Sequence, residues 1–192
     1  MWQKVAKFKG AEYFRKALYL LYSNEVTLDP NTANRWRQLS EDGTRIKYAK
    51  TAQRVSDNPK RFDYYSAVLG EKGFNSGRHY WEVQVGVSGR WEVGIAMRAV
   101  NRKKAVKKNP EHVFFLLSKS GYLGYEAGSS PSTTLNLNPI PRRVGVYVDY
   151  EKGQVSFYDV LAKKSEALVI SCMEDPRARN LSLLQAVSKA KE

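Results

Sequence analysis

Cysteine is nearly missing from this 192-residue chain, where Cys172 stands alone. One thiol closes no intramolecular disulfide, and no zinc site can be built from thiolates. Histidine is as scarce, with only His79 and His112, so a Ser-His-Asp or Cys-His catalytic set is hard to assemble. No cofactor or metal ion is expected. Long apolar runs are also lacking. The longest, Ala17 to Tyr22, falls far short of the ~20 residues that span a bilayer. The N-terminal residues show no signal-peptide core or cleavage site. A reducing compartment, the cytoplasm, is the expected location. Acidic residues are the minority: 32 Lys and Arg face 19 Asp and Glu, a net charge of +13. That excess suits nucleic acid, acidic lipid or an acidic protein partner. It is spread along the chain and not gathered into one tail.

What is present divides by period. Over residues 2–23, Val5, Phe8, Ala11, Phe14, Leu18 and Leu21 recur at spacings of three and four and make one apolar helical stripe. Such a helix packs on its own domain, on a partner helix (self-association through residues 2–23), or on an anionic membrane. From Val26 the period becomes two. Strands are predicted at Val26–Leu28, Trp36–Leu39, Arg45–Tyr48, Ala67–Leu69, Tyr80–Val85, Trp91–Met97, Val113–Leu117, Tyr122–Glu126, Thr134–Leu137, Arg143–Tyr147 and Gln154–Tyr158. Turn chemistry separates them, as in Glu41-Asp42-Gly43 and Glu151-Lys152-Gly153. Many short strands with regular turns predict an all-β antiparallel sandwich or barrel.

Within Tyr80–Val85, Trp81, Val83 and Val85 share one face while Tyr80, Glu82 and Gln84 share the other. One ring of the Tyr80–Trp81 pair is expected in the core and the other on the opposite face. Trp91, Val93, Ile95 and Met97 repeat the pattern, and residues 86–90 are expected to join the two strands as a hairpin. Val144, Val146 and Val148 are expected to turn through residues 149–153 into Val155 and Phe157. His79 reads as a hydrogen-bonded, half-buried residue. Glu82 and Glu92 could pair as carboxylates, but both lie on predicted strands. GYLGYEAG at 121–128 lacks phosphate-loop spacing. No catalysis is expected.

LDPNTA (28–33), LSEDGTRIKY (39–48), DNPKRFD (57–63), VLGEKGFNSGRHYWEVQVG (68–86), WEVGIA (91–96), VNRK (100–103) and VGVYVDYEKGQVSFYDV (144–160) follow one another in an order that resembles PRY-SPRY (B30.2) domains. The resemblance implies a bent two-sheet antiparallel β-sandwich of the concanavalin-like jelly-roll type. It implies an N-terminal coiled-coil or juxtamembrane helix at 1–25, a PRY segment at 26–80 and a SPRY segment at 81–160. It also implies a non-catalytic recognition module of the kind carried by tripartite-motif ubiquitin ligases and butyrophilins, in innate-immune or ligase settings. No RING or B-box zinc pattern occurs in the chain.

The resemblance places recognition on loops at one end of the sandwich: Asp63–Ser66, Val87–Glu92, Arg98–Lys108, Glu111–Tyr122 and Ala127–Thr133. For a protein or peptide partner, the candidate residues are Tyr64, Tyr65, Arg90, Glu92, Arg98, Lys103, Lys104, Ser118, Ser120 and Tyr122. Trp91, Phe114 and Phe115 are further aromatic candidates, with core packing the competing role. The family member that binds antibody Fc uses an acidic residue and two tryptophans. Glu92 matches the first and Ser118 and Ser120 fall at the others, so Fc binding is not expected. A phosphorylated small molecule or RNA is the alternative ligand, drawn by the basic loop Arg98–Lys108. Yet the positions of the butyrophilin histidines hold Tyr65 and Glu92, and no RNP-type aromatic motif is visible.

After Val160 the family pattern stops. Ala167–Cys172 reads as a strand and Leu181–Val187 as a short helix. The favoured reading of residues 161–192 is a divergent tail that leaves the sheet without its closing strands, an edge exposed and Val146 and Phe157 underpacked. The alternative is a replacement tail that covers that edge.

Overall fold

The structure, a computed structural model, describes residues 11–86, 89–105, 114–120, 124–127, 133–137, 140–162, 167–172 and 181–188. Among the described residues, one helix, α1 (Ala11–Tyr22), precedes twelve strands: β1 (Arg37–Leu39), β2 (Ile46–Tyr48), β3 (Ala67–Phe74), β4 (Arg78–Gln84), β5 (Arg90–Met97), β6 (Phe114–Lys119), β7 (Tyr125–Ala127), β8 (Thr133–Leu135), β9 (Arg143–Asp149), β10 (Gln154–Asp159), β11 (Ala167–Cys172) and β12 (Leu181–Ser188). A four-stranded sheet runs β11-β10-β9-β4, and a six-stranded sheet runs β3-β12-β5-β6-β7-β8. A separate hairpin pairs β1 with β2. Every strand pair is antiparallel. The all-β sandwich with an N-terminal helix is therefore the fold.

The core lies between the two sheets and follows from alternation. β9 and β10 turn Val144, Val146, Val148, Val155 and Phe157 inward, β4 adds Trp81, and β5 and β6 answer with Trp91, Val93, Ile95, Phe115 and Leu117. The β9–β10 hairpin forms as expected, with Asp149 opposite Gln154. Gly153 adopts φ 59° in its turn, a conformation that favours glycine.

Several expectations are corrected. β4 and β5 do not form a hairpin: they belong to different sheets, and Trp81 meets Trp91's layer across the core. Both strands carry an apolar face, and alternation alone does not tell a strand neighbour from a facing layer. The Trp91 indole N–H donates to the Gly86 carbonyl at 3.0 Å where the chain changes sheet. Val26–Leu28 forms no strand, only a bridge of Leu28 to Gly70.

Tyr80 does sit on the face opposite Trp81, yet it is fully buried, because α1 covers it. Leu18 packs there on Tyr80, Tyr147 and Tyr158, with Tyr22 beside them. The helix thus packs on its own domain. It does so through Leu18 and Tyr22, whereas Leu21 of the predicted stripe is exposed alongside Tyr19 and Leu20. Val5 and Phe8 lie outside the described residues. Tyr22 is latched by Arg78, whose guanidinium donates to the Tyr22 hydroxyl at 3.2 Å and to the buried Asp149 carboxylate at 3.1 Å.

The tail is the largest correction. Residues 181–188 form a strand, not a helix, and β12 pairs with both β3 and β5 inside the six-stranded sheet. Three apolar residues at 181, 184 and 187 fit a helical stripe, but a stripe that short does not separate the two periods. Two open strand edges decide the matter by offering ladders on both sides. β11 pairs with β10, and Val146 and Phe157 are fully buried, not underpacked.

Candidate partner-recognition surface

The outer face of the six-stranded sheet is built from the residues that alternate with the core set. Directly opposed residues of neighbouring strands present side chains to the same face. Glu92 stands opposite Ser118, Ser118 opposite Glu126, and Glu126 opposite Thr134. One polar row therefore crosses β5, β6, β7 and β8. Farther along the same strands the face becomes apolar. There Ala96, Phe114 and Leu116 pack with Ala67, Leu69, Val100 and Phe62, and Tyr65 lies against them.

The segment before β3 covers that apolar half and holds itself with backbone-directed polar groups. The Arg61 guanidinium is buried and donates to the carbonyls of Ser56, Pro30 and Ala33 at 3.0, 3.1 and 2.6 Å. Asn34 donates to the carbonyls of Phe62 and Asp63. The β1–β2 hairpin turns at Gly43, φ 66°. There the Ser40 hydroxyl and the Thr44 amide hold the Asp42 carboxyl down to about 2.

The candidate residues fall into two groups. Glu92 and Ser118 oppose each other, and Arg90 and Ser120 extend the same polar end, with Arg90 exposed. Arg98, Lys103 and Lys104 leave from the other end of β5. Arg90 and Arg98 are about 26 Å apart along an extended strand, so the loops flanking β5 do not share one end. Tyr64 and Tyr65 meet edge to face at 4.9 Å beside the second group. Tyr64 is 61% exposed, while Tyr65 packs on Phe114 at 6.0 Å. Trp91, Phe114 and Phe115 are buried and offer no anchor. Tyr122 and His112 lie outside the described residues, as do Lys107 and Lys108.

Lys103 is committed inside the molecule. Its ammonium sits 2.6 Å from Asp57 and 2.7 Å from Asp63. The hydrogen bond to Asp57 leads in raising the Lys103 pKa, and its counterpart lowers that of Asp57. Arg102 ties the same loop down through the carbonyls of Lys60 and Arg98. His79 stacks on Phe74 at 4.2 Å and its Nε2 lies 2.7 Å from the Ser76 carbonyl, the half-buried structural role expected of it. Glu82 and Glu92 lie in different sheets. Glu82 accepts from the Tyr80 hydroxyl at 3.0 Å.

Sequence reasoning missed the aromatic hairpin at the margin of this face. Trp36 stacks on Tyr48 at 5.8 Å, and Arg37 lies over the Tyr48 ring at 5.5 Å. Arg37 is buried, and Glu92 acts on its charge. The available signal was parity, because Arg37 and Leu39 share a strand face, so the charge stands at an inward position.

The description of the SPRY-associated domain, PRY, matches residues 26–74, and that of the SPRY domain matches residues 78–170. The chain belongs to the PRY-SPRY family. This PRY-SPRY chain is 46% identical over 134 residues to "Nuclear factor 7, ovary" of Xenopus laevis, covering 70% of itself and 22% of that protein. It is 42% identical over 139 residues to the human "E3 ubiquitin-protein ligase TRIM68", covering 72% of itself and 29% of the ligase. It is 44% identical over 138 residues to the human "Erythroid membrane-associated protein", again covering 72% and 29%. The chain thus spans well under half the length of these relatives. Among solved structures, the stonustoxin structure superposes with a TM-score of 0.76 at 27% identity, covering 88% of this chain and 28% of that one. The TRIM65 PSpry domain superposes with a TM-score of 0.77 at 18% identity, covering 98% and 95%. That second likeness concerns the fold alone. The chain is homologous to the PRY-SPRY domains of TRIM proteins, which are protein-interaction modules and not catalytic ones.

Proposed function

We propose that this PRY-SPRY chain docks a protein or peptide partner on the outer face of its six-stranded sheet, as the target-recognition part of a ubiquitin-ligase or innate-immune assembly in the cytoplasm. The carrying observation is the polar row Glu92, Ser118 and Glu126, half-exposed on a sheet face whose other half is covered, with the exposed Arg90 at its end; the exposed Tyr64 stands at the far end of β5. Tyr and Arg are residue types enriched in interface hot spots, and polar residues form the rim around them. The anionic-ligand alternative is weaker, since Lys103 is held by two carboxylates and the floor is itself acidic. The exposed Leu20 and Leu21 of α1 are the residues that self-association through 2–23 would use.

The test compares proximity-labelled partners of the wild-type chain with those of a Tyr64→Ala/Arg90→Ala variant. Tyr65 is left intact because it packs on Phe114. Partners lost from a variant with an unchanged melt support the surface. An unaltered partner set rejects it.

A further inference from the structure

Two arginines are buried in residues 26–66, and the fold treats them oppositely. Arg61 has its donors on three backbone carbonyls. Arg37 uses only Nε, which donates to the Ser66 carbonyl at 2.8 Å. Its Nη1 and Nη2 are enclosed without a hydrogen-bond partner, and so is the hydroxyl of Ser66. Three unspent donor atoms thus fall on one pair of residues, whereas the other buried atoms without a partner, Arg15 Nη1, Trp81 Nε1 and the Tyr125 hydroxyl, stand singly on α1, β4 and β7. Burial lowers the Arg37 pKa to about 10, with Tyr48 and Glu92 acting in the opposite direction. The side chain therefore remains a cation at neutral pH.

Stability does not explain this arrangement. A buried guanidinium with idle donors costs free energy that an apolar side chain of similar volume would not. Orphaned buried polar groups call for a cause outside the fold's own bonding. The geometry here matches an acceptor. A guanidinium fork beside a hydroxyl is complementary to one carboxylate, which takes two N–H bonds in parallel. What closes the place is a surface pair of rings, Tyr48 over the guanidinium and the 38%-exposed Trp36 stacked on it. Entry of a carboxylate requires these two rings to turn aside.

We infer that Arg37 and Ser66 form the seat for one Asp or Glu side chain in an acidic docking segment of the partner. The inference rests on the recognition reading above and names its partner chemistry. The chain's net charge of +13 draws such a segment. A polyphosphate backbone fits less well, because Glu92 and Glu126 line the adjoining floor and repel a second and third anion. A single carboxylate meets Arg37 alone and brings no further anion against Glu92.

The test selects a displayed library of random twelve-residue peptides on four proteins: wild type, Arg37→Met, Ser66→Ala and Tyr64→Ala/Arg90→Ala. Each is also melted, and each is titrated with oligo(U) RNA. Wild type is expected to enrich peptides with an Asp or Glu at one fixed position. Arg37→Met is expected to melt at the same or a higher temperature and to bind those peptides on the order of thirtyfold more weakly. Ser66→Ala should melt as wild type and bind about fivefold more weakly, which keeps the idea testable if Arg37→Met fails to fold. Replacing the fixed acid with its amide should weaken binding to wild type and change little for Arg37→Met, the coupling expected of a direct pair. Equal peptide affinity for wild type and both single variants would overturn the seat. So would Arg37-dependent binding of RNA in preference to every peptide. If peptides are enriched with dependence on Tyr64 and Arg90 but not on Arg37, only this inference falls. If wild type enriches none, the recognition reading falls with it.

Discussion

The four-stranded sheet turns Tyr80, Tyr147 and Tyr158 outward, and α1 lies over them with Leu18 and Tyr22. The six-stranded sheet turns Glu92, Ser118 and Glu126 outward and leaves them half-exposed. Both faces belong to one sandwich and share one core. The difference lies in what each would lose in water. A row of aromatic rings bears a large apolar area and is stabilised by any cover the chain supplies. A row of acids and serines is already solvated and gains nothing from an internal cover. The chain closes the first face itself and leaves the polar row of the second half-exposed, and the proposed docking surface rests on that contrast.

Substitutions can break or sharpen this contrast. The largest effect is expected at Gly94, in the middle of the six-stranded sheet, where φ is 158°. A Cβ there would strike the Phe115 carbonyl oxygen and approach the Leu116 Cα to 3.0 Å. These are backbone atoms that cannot yield, so Gly94→Ala should cost about 3 kcal/mol or more in urea unfolding. A near-normal midpoint would show that this sheet is softer than its packing implies. Leu18→Ala should cost about 2–3 kcal/mol by removing the anchor of α1. It should leave affinity for any partner of the six-stranded face unchanged, since that face lies across the core. A loss of affinity would mean that the two faces are coupled.

Tyr80→Phe removes only the hydrogen bond to Glu82 and should cost about 1 kcal/mol. The same sheet makes a pH prediction. Burial first, then Asp149, pushes the Tyr147 hydroxyl up to about 12. A raised phenol pKa stabilises the fold fully below the unfolded value of about 10, and the contribution is lost as pH rises through the folded value. Stability should therefore fall between roughly pH 10 and 12, and Tyr147→Phe should flatten that fall. An identical slope in both proteins would place the titration elsewhere. The smallest effect is expected from Lys103→Ala. Its ion pairs are exposed and screened by salt, so the melt should barely move. The pair lowers the Asp57 pKa and raises that of Lys103, so its small contribution should be lost only as the carboxylate is protonated in acid or as Lys103 loses its proton in base.

Much of this was legible in the residues. Alternation revealed most strands, because Val144, Val146 and Val148 have no other reason to skip every second place. The same parity put Glu92 on a non-core face, whereas Ser118, beyond the predicted strand, came only from the family resemblance. Alternation was blind to partnership, which is why β4 and β5 read as a hairpin, and to cover, which is why Tyr80 read as an outward ring. The sequence signal at 181–187 was too short to outweigh two waiting strand edges. Arg37 stayed hidden because one charge in a three-residue strand looks like surface until its neighbours are known.

The position of β12 has a consequence for assembly in time. Its residues follow every other described strand, yet they complete a ladder between β3 and β5. A ribosome delivers this segment after all its neighbours, so the six-stranded layer waits as two separated parts until the final wedge arrives. Contacts spanning so much intervening chain are slow to form, and until they form the facing edges of β3 and β5 lack their shared partner.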